Sequence, residues 1–318
     1  MPLQNVPLGR TGLIVSRLGF GTLPMGPLQA NLPQSQGAAV IRYALERGVT
    51  LIDTAASYRN FGYIREALQG FGGKVVIASK TAARTYQQAE LDIQAALREM
   101  GIDRLDICHL HGARVMDPFV EREDVLRCLV DYQAKGYIGA VGISTHVVQV
   151  VRQAARRPEI QVIHPLINRA GLGIFDGSAE EMADAIADAH ERGKGIYAMK
   201  VLGGGNLLQE RQSAIRYVLQ LPGVDAAVVG MLTTGEVDYN LAAFSGQEVT
   251  PKLEQAAPVA AKRLFVNQRL CQGCGDCVAA CPNAALSLVN NKSTVDAEKC
   301  LLCGYCGPYC KEFAIRVI

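Results

Sequence analysis

Short apolar runs alternate with amphipathic stretches along the first 250 residues of the chain. The stretches that follow the runs, such as residues 87–101 and 178–193, carry apolar residues at helical spacing. The second begins at Ser178 with acids in its first turn and ends with Arg and Gly, which are helix start and stop signals. The apolar runs cover residues 16–22, 50–55, 75–81, 105–111, 140–145, 161–168, 195–200 and 226–231.

These runs are apolar throughout, which predicts strands that are buried on both faces. Eight β–α units in about 250 residues favour a closed (β/α)8 barrel. The alternative is a doubly wound open sheet, which usually binds dinucleotides through a Gly-rich turn after its first strand. That turn is GTLPMG here and has no G-x-G-x-x-G pattern. We therefore predict an α/β fold with a TIM barrel over residues 1–250.

The segment 271–310 holds eight of the ten cysteines of the chain. Their spacing is C-x2-C-x2-C-x3-C-P and then C-x2-C-x2-C-x3-C. In such runs three cysteines bind one [4Fe–4S] cluster and the fourth reaches the other cluster. The predicted ligands are Cys271, Cys274, Cys277 and Cys310 for cluster 1, and Cys300, Cys303, Cys306 and Cys281 for cluster 2.

The competing interpretation of these cysteines is zinc, whose sites usually pair cysteines a dozen or more residues apart rather than grouping them at x2-x2. Residues 262–318 also form an internal repeat, and NNKST between its halves predicts a hairpin turn. The segment resembles the bacterial two-cluster ferredoxins, which implies a small α+β domain after a linker at 251–261. Clusters that only stabilise a domain and clusters that carry electrons are bound by the same cysteine pattern, so both roles stay open.

Composition narrows the class of protein. The chain has 318 residues, of which 49% are hydrophobic and 19% charged, and its net charge is +2. This charge argues against a nucleic-acid partner. No apolar run is long enough to cross a membrane, and the first residues do not read as a signal peptide. We therefore expect a cytoplasmic protein with no membrane partner, where dense cysteine indicates metal rather than disulfides.

Polar residues that could move a proton lie at the carboxyl ends of neighbouring predicted strands. Asp53 ends the second strand with Tyr58 shortly after it, Lys80 ends the third, and His111 ends the fourth. Chemistry in (β/α)8 barrels sits at this end. His109 lies on the same strand, and we expect it to face the opposite side from His111.

At these residues the chain resembles the aldo-keto reductases. The resemblance rests on LGRTGLIVSRLGFGT, GVTLIDTAASY, IASK and RLDICHLH, and extends over residues 5–245. It implies a catalytic tetrad of Asp53, Tyr58, Lys80 and His111. In the implied mechanism, we expect Tyr58 to donate the proton to a carbonyl that accepts hydride and Lys80 to lower the pKa of Tyr58. We expect Asp53 to keep Lys80 charged and His111 to orient the carbonyl.

The resemblance also implies contacts to a nicotinamide cofactor, NAD(H) or NADP(H). Glu236 stands where members that use NADP carry a basic residue, which slightly favours NAD(H), although an acid is also favourable at a helix start. The implied cofactor contacts are Gly21, Thr22, Asp53, Ser144, Thr145, His164, Met199, Leu202, Gly230, Glu236 and Asn240.

The predicted activity is oxidoreduction of a small carbonyl or alcohol substrate. An external electron carrier is a further candidate partner, because the clusters could carry electrons. The alternatives are a ferredoxin-linked electron relay and a nicotinamide-sensing regulator without turnover. The complete tetrad argues against the regulator.

Overall fold

The computed structural model describes residues 3–113, 115–259, 263–310, 312 and 314–317. Eight parallel strands close into a barrel in which the last barrel strand pairs with the first. An antiparallel hairpin of β1 (Asn5–Pro7) and β2 (Ile14–Ser16) precedes them. The barrel strands are β3 (Leu18–Gly21), β4 (Leu51–Asp53), β5 (Val76–Thr81), β6 (Leu105–Ala113), β7 (Ile138–Thr145), β8 (Val162–Pro165), β9 (Gly195–Ala198) and β10 (Ala226–Gly230). The barrel prediction is confirmed, and the open sheet is wrong.

Each predicted apolar run overlaps one barrel strand, because these side chains are buried both inside the barrel and against the outer helices. The inner cluster includes Leu51, Ile107 and Val162, together with Leu8 and Val15 from the hairpin region. The hairpin therefore closes the amino end of the barrel. The hairpin does not cover the carboxyl end of the barrel, where the candidate active site lies.

The helices lie between the strands and pack on the outer face. The helix α7 has the predicted Ser178 cap, since the Ser178 hydroxyl accepts from the Glu181 amide and the Glu181 carboxylate accepts from Ser178. The helices are α1 (Gln34–Glu46), α2 (Phe61–Leu68), α3 (Tyr86–Met100), α4 (Pro118–Glu121), α5 (Glu123–Ala134), α6 (Val148–Ala155), α7 (Ala179–Glu191), α8 (Arg211–Gln220), α9 (Thr234–Phe244), α10 (Pro251–Ala256) and α11 (Asp276–Ala279).

The cysteine-rich segment from residue 263 onward, which we call the tail, forms two small sheets. Two antiparallel pairs are formed by β11 (Leu264–Val266) with β14 (Ile315–Val317) and by β12 (Leu286–Val289) with β13 (Lys292–Val295). The hairpin turn is shorter than the predicted NNKST, since only Asn290 and Asn291 lie between the strands. Both have positive φ, 51° and 59°, as a tight two-residue hairpin turn requires.

The predicted linker 251–261 contains α10, and its last two residues lie outside the described part of the chain, as does residue 262. The domain boundaries stay a prediction. Within the described residues, none of the helices is both long and apolar enough to span a bilayer.

The tail docks on the carboxyl end of the barrel through the segment 300–306, which we call the cluster-2 loop. Gln29 Nε2 donates to the Leu302 carbonyl at 3.2 Å, and Asn206 Nδ2 donates to the Cys300 carbonyl at 3.3 Å. Gly204 lies directly beneath the Leu301 carbonyl, and a Cβ at position 204 would lie 1.9 Å from that oxygen. The tail therefore covers part of the barrel mouth.

Candidate active site

Asp53 and Lys80 form a buried ion pair at the barrel mouth. Lys80 Nζ donates to Asp53 Oδ2 at 2.6 Å and to the Thr54 carbonyl at 2.9 Å. The two side chains are 6% and 1% exposed. Burial lowers the pKa of Lys80, and Asp53 opposes that shift. The Asp53 carboxylate therefore stabilises the positive charge of Lys80, which burial alone would disfavour.

Tyr58 lies over this ion pair. It ends the 3-10 helix Ala56–Tyr58, and Lys80 Nζ is 5.2 Å from the centroid of its ring. The following residue, Arg59, has a φ of 53°, so the chain turns sharply just after the phenol. The structure thus brings Asp53, Lys80 and Tyr58 together as predicted.

The pKa of Tyr58 does not follow the expectation that Lys80 lowers it. The pKa is raised well above 10, chiefly by burial and then by Tyr305, Asp53 and Cys303. A buried phenolate loses its hydration, and the acidic groups of Asp53 and Cys303 disfavour another negative charge beside them. Tyr58 is therefore a protonated phenol at neutral pH, which suits a proton donor.

His111 completes the group and is a neutral imidazole. Its Nδ1 lies 2.6 Å from Ser144 Oγ, and its Nε2 lies 3.2 Å from the Tyr305 hydroxyl. Burial, with Lys80 and Arg122 nearby, lowers the pKa of His111 to about 3. His111 can therefore orient an oxygen by hydrogen bonding but is a poor source of a proton.

The prediction that His109 faces away from His111 is wrong, because residues two apart on a strand share a face. His109 also points into the barrel, where Nε2 lies 2.6 Å from the Tyr197 hydroxyl. Its Nδ1 would be 2.3 Å from a Cβ at position 142, so Gly142 makes the space for this ring. His109 belongs to the packed floor beneath the site.

Tyr197 joins that floor to the ion pair. Its hydroxyl donates to Asp53 Oδ1 at 3.0 Å, and its ring stacks on His164 with centroids 4.1 Å apart. His164 Nδ1 lies 2.6 Å from the Tyr197 carbonyl, which can only accept, so Nδ1 carries the proton. Burial lowers the pKa of His164 well below 6.5, which leaves Nε2 as an acceptor.

A cleft beside Tyr58 encloses about 880 Å³, including the part open to solvent. Six of the predicted cofactor contacts line it, namely Gly21, Asp53, His164, Met199, Leu202 and Gly230. The hydroxyls of Thr22 and Thr145 are engaged with backbone, donating to the Asp53 carbonyl at 3.0 Å and accepting from the Val147 amide at 3.0 Å. Ser144 holds His111 instead of lining the cleft.

Glu236 and Asn240 lie on α9, away from the chemistry. Glu236 Oε2 accepts from the Leu232 amide at 2.5 Å, so the carboxylate caps the start of its own helix. Asn240 Nδ2 donates to the Glu236 carbonyl, whereas its buried Oδ1 has no hydrogen-bond partner among the described residues. An acceptor of this kind is suited to an amino group of a ligand, such as the one on adenine.

Two further residues at the site were not among the predicted site residues. Lys200, with a φ of 60°, lines the cleft, and burial lowers its pKa while Cys303 raises it. Tyr305 comes from the cluster-2 loop and contacts both Tyr58 and His111. Lys200 ends the predicted run 195–200, so the rule that identified Lys80 could have found it, whereas Tyr305 depends on how the tail docks, which no local pattern reports.

The predicted ligands of cluster 1 surround one cavity. It is lined by Cys271, Cys274, Cys277 and Cys310, together with Leu288 and Ile315. Amides of Ser293 and Ala314 donate to the sulfurs of Cys271 and Cys310 at 3.3 and 3.2 Å. Hydrogen bonds to sulfur are one of the features that set cluster potentials. Cys274 is exposed and the other three are more buried.

The predicted ligands of cluster 2 also lie together, against the barrel. The pKa of Cys306 is raised by burial and then by Cys303, Cys281 and Cys300. No three His, Cys, Asp or Glu side chains in the described ranges are arranged around a single metal ion. A cubane cluster binds its four thiolates through four separate iron atoms, so the cysteines surround a space larger than one ion.

Comparison with known proteins decides the family. The model of the aldo/keto reductase family matches residues 17–214, which is more than half of the chain. The chain belongs to the aldo/keto reductase family. The model of a 4Fe-4S dicluster domain matches residues 263–311, so this aldo/keto reductase carries an iron–sulfur domain at its carboxyl side.

Relatives of this aldo/keto reductase are distant in sequence. It is 26% identical over 196 residues to aldo-keto reductase YhdN of Bacillus subtilis, a match that covers 56% of each chain. It is 21% identical over 287 residues to L-galactose dehydrogenase of Arabidopsis thaliana, covering 76% of this chain and 88% of that one. The match thus spans little more than half the length of YhdN.

Solved structures agree on the barrel. An aldo-keto reductase of Pseudomonas aeruginosa has a TM-score of 0.65 and 26% identity, covering 80% of this chain and 95% of its own. The holo form of an aldo-keto reductase from Bacillus halodurans has the same TM-score with 21% identity, covering 81% and 98%. The second likeness shows the fold alone.

Proposed function

We propose that this aldo-keto reductase reduces small carbonyl compounds, or oxidises the corresponding alcohols, with Tyr58 as the general acid or base. The observation that carries the proposal is the buried group of Asp53, Lys80, Tyr58 and His111 beside an open cleft. The tail, with its two sets of four cysteines, makes the protein an iron–sulfur oxidoreductase as well.

The cleft fits a nicotinamide cofactor. When bound, the cofactor supplies or accepts the hydride. His164 and the apolar side chain of Met199 line the cleft, and Asn240 Oδ1, which has no hydrogen-bond partner in the described part of the chain, suits an adenine amino group. The proposed preference for NAD(H) rests on the negative charge of Glu236, which disfavours a 2′-phosphate.

The residues divide the chemistry among themselves. A carbonyl oxygen that gains negative charge needs a proton, and Tyr58 holds one because burial raises its pKa. Lys80 places a positive charge beneath the phenol, and Asp53 keeps that charge in place. His111, held by Ser144, donates a hydrogen bond from Nε2 to the substrate carbonyl oxygen without changing its own charge.

The raised pKa of Tyr58 leaves the phenol in the protonated form that reduction uses. A phenol that stays protonated is ready to donate, whereas alcohol oxidation at neutral pH would need the scarce phenolate.

The test replaces Tyr58 and measures turnover against a panel of aldehydes and ketones with NADH and with NADPH. Tyr58→Phe should lower kcat roughly 100- to 10,000-fold, as loss of a general acid does. Cofactor affinity should stay within about twofold. Tyr63→Phe is the control, because Tyr63 is buried and donates to the Leu32 carbonyl but lies outside the cleft. Equal turnover in the two variants would reject the proposal.

A second function, electron exchange with an external carrier, is favoured by where the cysteines lie. Leu302 and Tyr305 line the cleft and flank Cys303, so cluster 2 belongs beside the substrate site, whereas Cys274 of cluster 1 is exposed. Bound clusters supply one electron each. Loss of the cluster absorbance on adding NADH without oxygen would support this function, and unchanged absorbance would reject it.

A further inference from the structure

The hydroxyl of Tyr305 stands where the reacting oxygen of a substrate has to bind. It lies 3.2 Å from His111 Nε2 and forms a side-chain hydrogen bond with Tyr58. These are the two groups that the proposed function assigns to the carbonyl oxygen. The Tyr305 ring meets His111 edge-on, with centroids 5.9 Å apart and planes at 75°.

Space at this point is short. Tyr58 is 5% exposed and His111 is 7% exposed, and Tyr305 itself lines the cleft. A carbonyl oxygen therefore cannot contact Tyr58 and His111 together while the Tyr305 hydroxyl stays between them. One oxygen has to leave before the other can bind.

The chain around Tyr305 fixes its place. Cys303 and Cys306, both predicted ligands of cluster 2, lie on either side of it in the sequence. The same loop is tied to the barrel at Leu302 by Gln29 and at Cys300 by Asn206. The position of the phenol is thus coupled to the integrity of the loop that surrounds cluster 2.

We infer that Tyr305 is an internal competitor for the substrate oxygen and so determines how tightly carbonyl compounds bind. The inference rests on the proposed function. Displacing Tyr305 exchanges its hydrogen bonds to Tyr58 and His111 for those of the substrate. Without the hydroxyl, Tyr58 and His111 are left as buried polar groups with one partner fewer, and a carbonyl that supplies the missing partner binds more tightly.

The test is Tyr305→Phe, which keeps the ring and removes the hydroxyl. The KM for carbonyl substrates should fall about fivefold to tenfold, with kcat within twofold, because the chemical step does not use Tyr305. Calorimetric titration with benzamide, an unreactive carbonyl, should show a dissociation constant lowered by the same factor. Tyr309→Phe is the matched control, since Tyr309 lies on the same tail and is 57% exposed.

Cluster absorbance and iron content are measured on every variant. Should Tyr305→Phe lose cluster 2, Asn206→Ala loosens the loop from the barrel and should lower KM in the same direction by a smaller factor. The inference is wrong if KM and benzamide affinity stay within twofold of the parent, or if kcat falls tenfold at unchanged KM. Benzamide binding also separates the two proposals, because it responds to Tyr305 even if no carbonyl is reduced.

Discussion

Replacing Asp53 by Asn should destabilise the barrel far more than the loss of one surface charge. Lys80 is buried, and its partner Asp53 Oδ2 lies 2.6 Å away. Removing one member of a buried ion pair costs about 3–5 kcal/mol. The Thr54 carbonyl remains as a partner for Lys80, which places the expected loss near the lower end, about 3 kcal/mol. For a chain of this size that lowers Tm on the order of 10 °C.

The loss should also depend on pH in a definite direction. Burial already lowers the pKa of Lys80 from 10.5, and removing the carboxylate lowers it further. A lysine whose folded pKa lies below its unfolded value binds fewer protons when folded, so stability rises with pH across that interval. The penalty of Asp53→Asn therefore shrinks as the pH rises towards 10.5, the ordinary pKa of lysine.

The assay is thermal unfolding of the cluster-loaded protein at several pH values, followed by circular dichroism. Asp188→Asn is the control, because Asp188 pairs with Arg192 on the surface, where a pair contributes about 0–1 kcal/mol. If both variants lose the same stability, or if the deficit of Asp53→Asn grows with pH, the reasoning about the buried pair is refuted.

Three further outcomes follow from the site. Ser144→Ala should lower kcat about tenfold, because His111 loses the partner that fixes its ring. Ser79→Ala, which replaces a buried serine of β5, should leave kcat unchanged. An equal loss of kcat in both variants would contradict the role of Ser144 in holding His111. The kcat/KM for reduction should be level between about pH 5 and 8, since the pKa of His111 is about 3 and Tyr58 stays protonated; an acid limb near pH 6.5 would contradict this. Glu236→Gln keeps an acceptor for the Leu232 amide and removes the negative charge. The preference for NADPH over NADH should therefore rise about two- to fivefold. An unchanged ratio would show that Glu236 only caps its helix.

The barrel could be predicted from sequence because each strand is buried on two faces, and continuous apolar runs report that directly. Asp53, Lys80 and His111 followed from the same pattern, since a strand end fixes where its last side chain lies. The prediction that His109 faces away from His111 was wrong because the alternation of side chains along the strand was miscounted. A period of two places both histidines on the same face.

Tyr305 could not be predicted, because its contact with His111 joins residues 194 positions apart. It depends on the docking of one domain on another, and neither domain's own periodicity contains that information. The direction of the Tyr58 pKa was missed for a related reason. Proximity to Lys80 is readable from the motif, whereas burial under the tail is not.

The contact between Gly204 and the Leu301 carbonyl limits how this protein can change. At position 204 even a methyl group would overlap backbone from the tail, and the φ of 70° disfavours any side chain there. A barrel that lost its tail would be freed from the first restriction and would keep only the second. A homologous barrel that is to accept this tail in the same position therefore needs glycine, or an equally slender turn, where Gly204 lies.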